Sequence, residues 1–410
     1  MSKNISKMPK SSKIGNKKLS ENLKSKISFS FENVKDNKNI LVVSIALVLI
    51  ILFFYYNSKD YKVRNSLRNV SKYRDYVITG SYLNKTSNRN RKLCDFYVAS
   101  AYRPYMVKNQ YFDYCSLEIF EEILRTGVRS VYIDIFNSNM SEEAEPIISN
   151  GFENGEWKLT FNTIHFEDVC KLIRKIVFSS GYVNNFNDPF ILCLNLKTNR
   201  NFKCLNKVSR IIYEQFGNKL LDNNYTYSSK HVMTQKVKDF MGKVIIFCSG
   251  GFKNSNLEEF VNYSWDSLDL KNISYESIDE RITDTSKVKM DKEDLKNFNK
   301  NGMTIVTPNE NTFFTYNYDP NYGWDCGCQM VFLNYQNIDE NMNTYIEKFK
   351  TESFLRKPQN MVSTSDFDQS VRMKVKKVEN DVEENVDEKL SCPEKPDENY
   401  ESNFGSSMIF

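Results

Sequence analysis

Histidine is nearly absent from this sequence: the 410 residues contain two, His165 and His231. Imidazole is the side chain whose unperturbed pKa lies near neutral pH, and proton relays commonly depend on it. His165 directly precedes an amphipathic helical pattern that starts at Phe166, and His231 lies in a polar segment. We therefore expect both imidazoles to be surface or packing residues rather than catalytic groups.

A strong net charge is also missing, because 56 basic and 52 acidic residues leave a formal charge of +4. No stretch interleaves basic and aromatic residues as nucleic-acid-binding surfaces do, so we expect no nucleic-acid partner. The nine cysteines are an odd number, and Cys193 and Cys248 fall within apolar runs, where a thiol behaves as a small hydrophobic group. This pattern favours a reduced compartment and a cytosolic location for the large domain.

Long hydrophobic runs are limited to residues 40–56, in which Ser44 is polar. As a helix this run is about 26 Å long, slightly short of a bilayer core of about 30 Å. A signal peptide and a buried core helix are the alternatives, but the polar segment before the run is too long for a signal peptide. We predict a single transmembrane helix, and hence a single-pass membrane protein. Both flanks are basic, so the positive-inside rule does not give the orientation.

The segments around this run differ in composition. Residues 1–39 are polar and rich in lysine, and residues 57–92 have the composition of a basic stalk. Residues 362–410 are acidic and contain proline and serine. We predict that both terminal tails are disordered, since neither has enough apolar residues to build a core.

Between residues 93 and 361, short apolar runs alternate with helical patterns. The runs that predict strands are 96–100, 130–136, 190–196, 243–248, 302–306 and 329–335. Helical spacing is clear in Leu117, Phe120, Ile123 and Leu124. Continuous apolar strands that alternate with amphipathic helices predict a parallel α/β sheet or barrel.

Several runs are similar to motifs of the eukaryotic phosphoinositide-specific phospholipases C. Gly127–Asp134 resembles the Gly-Cys-Arg-Cys-Val-Glu-Leu-Asp strand of that family, and Cys326–Gln336 resembles its Gly-Cys-Gln-Met-Val-Ala-Leu-Asn-Phe-Gln strand. Further similar runs, in the family's order, are Val98–Met106, Pro146–Gly151, Phe166–Val169, Pro189–Asn195 and Leu355–Pro358. The resemblance implies an α/β fold, a split TIM-type (β/α)8 barrel, with an X-like half at 93–252 and a Y-like half at 253–361.

The residues that carry this family's chemistry are mostly replaced. The resemblance implies that the two family histidines correspond to Tyr102 and Asn150, the calcium ligands to Arg103, Tyr132, Asp134 and Asn195, and the phosphate-binding basic residues to Phe247, Ser249 and Thr312. Tyrosine, with a pKa near 10, is a poor proton shuttle, and an amide cannot shuttle protons. One carboxylate remains where calcium needs several oxygen ligands, so we expect no cofactor here, although active family members use calcium.

Arg103 and Asp134 are expected in one cage at the carboxyl ends of the strands, where such barrels carry their sites. We expect the guanidinium to replace the charge of calcium and to pair with Asp134. That arrangement either leaves a pocket that holds a phosphate, with Arg103 and Tyr132 as ligand-binding residues, or closes a site that has lost its function.

Three functions fit these observations. The preferred one is a membrane-anchored, catalytically inactive protein that acts through phosphoinositide or protein binding. The alternatives are an active phosphoinositide phosphodiesterase of altered mechanism in lipid signalling, and a structural membrane-organising protein. The expected partners are a membrane, including its anionic phosphoinositide headgroups, and a protein.

Overall fold

The computed structural model describes residues 38–152, 157–229, 232–279, 281, 289–310 and 316–363. Its helices are α1 Lys38–Tyr56, α2 Lys59–Val70, α3 Thr86–Arg89, α4 Leu117–Arg125, α5 Phe166–Val177, α6 Phe202–Phe216, α7 Lys292–Asn299, α8 Asn321–Asp325 and α9 Glu340–Phe349. Its strands are β1 Phe96–Val98, β2 Ser100–Tyr102, β3 Ser130–Asn137, β4 Pro146–Ile148, β5 Ile164–His165, β6 Phe190–Lys197, β7 Val244–Cys248, β8 Tyr263–Ser264, β9 Leu270–Ser274, β10 Met303–Thr307, β11 Met330–Val331 and β12 Phe354–Arg356. Nearly all of the acidic tail and of the N-terminal tail lies outside the described residues.

The main strands are parallel, which confirms the predicted α/β class. Strand β3 pairs in parallel with β2 on one side and with β6 on the other. Strand β6 pairs in parallel with β7, and β7 pairs in parallel with β8. Strand β10 pairs in parallel with β9 and β11, and a parallel bridge between Ala101 and Leu333 joins this group to β2. The parallel order is therefore β9-β10-β11-β2-β3-β6-β7-β8. Within the described residues no ladder joins β8 to β9, so closure into a TIM-type barrel stays a prediction.

The alternating side chains of β3 enter two different apolar clusters. Val131, Ile133 and Ile135 pack in the cluster that includes the buried faces of α4 and α5. Tyr132 packs in a second cluster, which contains inward residues of the other strands such as Phe247. Because successive residues of a strand point to opposite faces, Asp134 shares the face of Tyr132. The inner face of the sheet therefore carries Tyr132 and Asp134, which the family resemblance indicated as site residues.

The helices that cover the outer face each bury one apolar stripe, and α4 and α6 begin at side-chain caps. Ser116 caps α4 by accepting a hydrogen bond from the Ile119 amide at 3.3 Å, which satisfies one of the helix's free N–H groups. Phe120 and Ile123 are fully buried, and each contributes roughly 1.5–3 kcal/mol of hydrophobic stabilisation. The turn from α4 into β3 passes through Gly127, whose φ of 92° favours glycine.

The prediction of one helix that crosses a membrane over residues 40–56 is not supported. The apolar segment Val42–Tyr56 of α1 is about 22 Å long at 1.5 Å per residue. Ser58 accepts a hydrogen bond from the Tyr61 amide and starts α2, so the chain bends by 57° between the two helices. Among the residues that the structure describes, no single helix is long and apolar enough to span a bilayer. By length and composition alone, the bent pair Val42–Tyr56 and Lys59–Tyr73 passes that test.

The predicted basic stalk is corrected by the structure, because part of it packs on the domain. The Ser66 hydroxyl of α2 donates a hydrogen bond to the Val107 carbonyl at 2.6 Å. Val70 and Tyr73 are buried in the same apolar cluster as α4. Arg64 and Arg68 are exposed, whereas Lys62 pairs with the buried Asp113 at 3.4 Å, and composition alone did not separate the exposed side chains from the packed ones.

Candidate functional site

The candidate site lies where β2, β3 and β6 end. Tyr102 is the last residue of β2 and pairs in register with Tyr132 of β3. Asp134 pairs in register with Asn195 of β6. Parallel strands bring their carboxyl ends to one edge, so these four side chains share a small volume at the mouth of the sheet.

Arg103 occupies the centre of this mouth, although its side chain is wholly buried. Its Nη2 lies 2.7 Å from Oδ2 of Asp134, and both side chains have 0% exposure. Its Nη1 donates a hydrogen bond to Oε1 of Gln110 at 2.9 Å, and its guanidinium carbon lies 4.7 Å from the centre of the Tyr102 ring. The Arg103 backbone has a φ of 40°, a left-handed conformation that costs a non-glycine residue of order 1 kcal/mol. The ion pair expected from the sequence is therefore present, and its site holds a strained backbone.

Both oxygens of Asp134 are occupied. Oδ1 accepts a hydrogen bond from Nδ2 of Asn195 at 2.8 Å, and Oδ2 faces Arg103. Burial raises the pKa of the Asp134 carboxyl, and Arg103 opposes that effect. Burial by itself lowers the pKa of Arg103, but Asp134 and other neighbours outweigh it and hold that pKa well above its usual value. The guanidinium is therefore a permanent cation in this mouth.

Two further charged residues, Lys197 and Glu310, belong to the cluster, and the sequence analysis predicted neither of them. Lys197 extends from the end of β6 and places Nζ 3.1 Å from Oε2 of Glu310. The other oxygen of Glu310 lies 3.5 Å from Nη2 of Arg103 and 3.4 Å from the Tyr132 hydroxyl. Lys197 follows Asn195 by two positions on one strand, which predicts that both side chains share a face. Glu310 follows β10, and no local pattern indicated that it would meet residues so distant in sequence.

Aromatic rings fill the space behind these charges. The Tyr132 ring lies 5.1 Å from Tyr102, 5.3 Å from Trp265 and 5.8 Å from Phe332, measured between ring centres. Burial raises the pKa of both tyrosine hydroxyls well above the usual value. Neither phenol can release a proton near neutral pH, so neither can serve as a general base there.

Asn150 is also at the mouth, held through Gln110 rather than directly. Its Nδ2 donates to the Gln110 carbonyl and lies 3.2 Å from Oε1 of Gln110, the same oxygen that accepts from Arg103. Its Oδ1 accepts from the Gly151 amide at 2.8 Å. Nε2 of Gln110 donates to Oδ1 of Asn334 at 2.9 Å. Asn150 is thus a structural amide whose hydrogen-bonding groups are already used.

Those of the remaining candidates that the structure describes do not join this network. His165 is exposed at the end of β5, in register with Ile147, while His231 and Thr312 lie outside the described residues. Phe247 is a core residue. The Ser249 hydroxyl accepts a hydrogen bond from the Leu196 amide at 2.7 Å.

A calcium ion, which the family resemblance implies, does not fit these residues. Calcium requires six to eight oxygen ligands at about 2.3–2.6 Å. At this mouth the carboxylates of Asp134 and Glu310 each face a cation, and a guanidinium sits between them. Across the part of the chain that the structure describes, no group of three or more His, Cys, Asp or Glu side chains could hold a metal ion.

Comparison with known proteins matches two family models. The X domain of phosphatidylinositol-specific phospholipase C matches residues 89–249, and the Y domain matches residues 255–360. Among solved structures, the crystal structure of S. officinalis PLC21 is similar with a TM-score of 0.54 and 20% identity, over 67% of this chain and 38% of that one. That likeness supports a shared fold.

The similar curated proteins include both enzymes and an inactive relative. Inactive phospholipase C-like protein 1 of Rattus norvegicus is 24% identical over 60% of this chain and 24% of its own length. The 1-phosphatidylinositol 4,5-bisphosphate phosphodiesterase delta-3-A of Danio rerio is 23% identical over 68% of this chain and 40% of its own length. The chain thus matches less than half the length of these relatives, and the identities do not separate an active from an inactive member. By its X and Y domains in family order, the chain belongs to the phosphatidylinositol-specific phospholipase C family.

Proposed function

We propose that this protein is a catalytically inactive member of its family that acts through phosphoinositide or protein binding. The observation that carries the proposal is the buried contact of 2.7 Å between Arg103 and Asp134. It fills the place where the family resemblance puts calcium. A divalent ion would have to displace a permanent cation from a wholly buried carboxylate, which is strongly unfavourable in a low-dielectric site.

Proton transfer lacks a carrier in the same place. The positions that correspond to the family's histidines are Tyr102, whose pKa burial raises well above the usual value, and Asn150, whose amide does not titrate. A phosphodiester needs a base to activate the attacking hydroxyl and an acid for the leaving group. Asp134 and Glu310 are each engaged with cations, so neither provides a free carboxylate.

Binding is the function that this arrangement leaves open. The family's substrates are phosphoinositide lipids, and we infer that a lipid headgroup or a protein is recognised at the mouth of the sheet. We also propose that the N-terminal helices attach the protein to a membrane. The support is the exposed apolar surface of α1, where Val42, Leu47 and Phe53 are 58–64% exposed. Such a helix gains free energy from any apolar surroundings.

Hydrolysis of labelled phosphatidylinositol 4,5-bisphosphate in mixed micelles, with calcium and with chelator, tests the proposal. We expect no turnover above buffer in either condition, with a family enzyme as the positive control. Calcium-stimulated turnover that is lost in Asp134→Ala would contradict the proposal and favour an active enzyme of altered mechanism.

A further inference from the structure

We propose that Arg103, Lys197 and the Tyr132 hydroxyl form a phosphate-binding subsite that Glu310 occupies from within the chain, and that a phosphate monoester takes its place when ligand binds. This inference deepens the binding role proposed above and rests on it. It assigns to Glu310 the role of an internal competitor. It also names the chemistry of the ligand, a phosphate monoester, carried either by a lipid headgroup or by a soluble molecule.

The three donors converge on one carboxylate. Oε1 of Glu310 lies 3.5 Å from Nη2 of Arg103 and 3.4 Å from the Tyr132 hydroxyl, and Oε2 lies 3.1 Å from Nζ of Lys197. A guanidinium, an ammonium and a hydroxyl around one anion are the groups with which proteins bind phosphate oxygens. Nε of Arg103 is buried and has no hydrogen-bond partner in the described part of the chain, so the same side chain has a donor to spare.

The two carboxylates of the cluster differ in how firmly they are held. Asp134 belongs to β3, is wholly buried, lies 2.7 Å from Arg103 and also accepts from Asn195. Glu310 follows β10, its side chain is 31% exposed, and its distance to Arg103 is 3.5 Å. The exposed and more distant carboxylate is the one that an incoming anion can replace, while Asp134 remains as the structural partner of Arg103.

Charge balance supports the exchange. Arg103 and Lys197 are cations, Asp134 and Glu310 are anions, and the four formal charges cancel. When Glu310 moves away, one positive charge is left in a mouth where Lys197 has a side-chain exposure of 2%. An uncompensated buried charge is costly, so an anion that enters there is stabilised.

A surface cavity borders the site at Lys197. A cavity of about 290 Å³ is lined by Lys197, Arg200, Gly251 and Asp266, among other residues. Lys197 therefore touches both this cavity and Glu310. Arg200 adds a second cation to the lining of this cavity and Asp266 adds an anion, so the lining is polar.

The test uses the full chain with Glu310→Gln, which keeps the size of the side chain and removes its charge. Affinity is measured by thermal shift and calorimetry for inorganic phosphate and a soluble inositol phosphate, and by flotation with vesicles that do or do not contain phosphatidylinositol phosphates. We expect Glu310→Gln to bind the phosphate probes roughly 10-fold more tightly than wild type or better, in line with measured couplings of close charge pairs. A gain with soluble probes indicates a site for free phosphates, and a gain confined to lipid vesicles indicates a headgroup site.

Further variants serve as controls for this experiment. Glu347→Gln removes a 68% exposed glutamate that pairs with Lys350 on α9, and it is expected to bind as wild type does. The double variant Glu310→Gln/Lys197→Gln restores neutrality and is expected to lose the gain. If Glu310→Gln fails to fold, Glu310→Asp, which is too short to bridge both cations, is expected to give a smaller gain.

Equal affinities of wild type and Glu310→Gln, or an equal gain in Glu347→Gln, would overturn the inference. Its failure is distinct from that of the proposed function, since lipid hydrolysis by the wild-type protein tests inactivity alone. Glu310→Gln is expected to remain inactive, because Arg103 and Asp134 still occupy the mouth.

Discussion

The Arg103 guanidinium and the Asp134 carboxylate meet at 2.7 Å with neither side chain exposed to solvent. Buried ion pairs of this kind are weak evidence of net stabilisation, because desolvation offsets most of their attraction. Breaking one is different, since the remaining partner stays buried without a counter-charge. Removal of one member of the pair is therefore expected to lower the free energy of unfolding.

Asp134→Ala is expected to lower the free energy of unfolding by roughly 3–5 kcal/mol, because among the described residues it leaves the buried Arg103 with Glu310, at 3.5 Å, as its ion-pair partner. Urea denaturation followed by circular dichroism measures the loss. The matched control is Glu347→Ala, which breaks an exposed pair with Lys350 and is expected to change stability by less than about 1 kcal/mol. If both variants unfold at the same urea concentration, the buried pair is not maintained in solution.

The sequence motifs predicted much of this site and could not predict the rest. Arg103 and Asp134 were found because each lies in a run that resembles a motif of the family. Arg103 directly follows β2 and Asp134 lies within β3, and these two strands pair in parallel. Glu310 meets Tyr132 across 178 residues of sequence. Such a contact depends on how the two halves of the domain dock, and no local period encodes it. The prediction of a single span over residues 40–56 is not supported, because the apolar helix ends at Tyr56 and the chain then bends by 57° at the cap of the next helix.

Gln329, from the motif that most clearly indicated the family, has a structural role that can be tested. Its Nε2 lies 2.9–3.0 Å from the carbonyls of Cys94, Asn299 and Gly302, and its Oε1 accepts from the Thr304 amide at 2.9 Å. Gln329→Leu keeps the volume and removes these hydrogen bonds. The Asn299 carbonyl still accepts from Lys357, and each buried group that is left without a partner costs about 1–3 kcal/mol. We expect a loss of about 3 kcal/mol or more in urea denaturation.

The control for this prediction is Gln359→Leu, at an exposed position that contacts Arg356. It is expected to leave stability within about 0.5 kcal/mol of wild type. A small effect of Gln329→Leu would mean that water or a local shift satisfies the buried carbonyls, and that the motif has another basis.

Membrane attachment through α1 predicts a clear effect of charge on that helix. Leu47 and Ile51 are each 58% exposed, and the double change Leu47→Glu/Ile51→Glu places two carboxylates on apolar surface at high cost in a bilayer. We expect the wild-type protein to float with the liposomes after a carbonate wash. We expect the variant to stay in the lower fraction of the gradient, apart from the liposomes. The control is Tyr213→Glu, which alters a 63% exposed aromatic residue on α6. Flotation of both variants would contradict attachment through this helix.

The stability of the domain is expected to depend on pH through Lys357, a buried residue of the closing Leu-Arg-Lys-Pro motif. Its Nζ donates to the carbonyls of Asn299 and Gly327, at 2.6 Å and 3.3 Å. Burial lowers the pKa of Lys357 to about 8, although Asp95 and nearby thiols oppose that effect. In the unfolded chain a lysine has a pKa of about 10.4. Between these values the unfolded state holds more protons than the folded state, so the contribution of Lys357 to stability rises with pH.

Lys357→Met should remove this rise. Other groups titrate in the same range, including buried cysteines whose raised pKa has the opposite effect, so the difference between wild type and variant is the quantity to measure. We expect that difference in free energy of unfolding to shift in favour of wild type by roughly 3 kcal/mol from pH 7.5 to 10.5. Lys350→Met, at the exposed position that directly follows α9, is the control and is expected to show no such trend. A difference that stays constant across this range would mean that Lys357 keeps its proton in the folded protein, held by carbonyls that bind the ammonium more strongly than burial disfavours it.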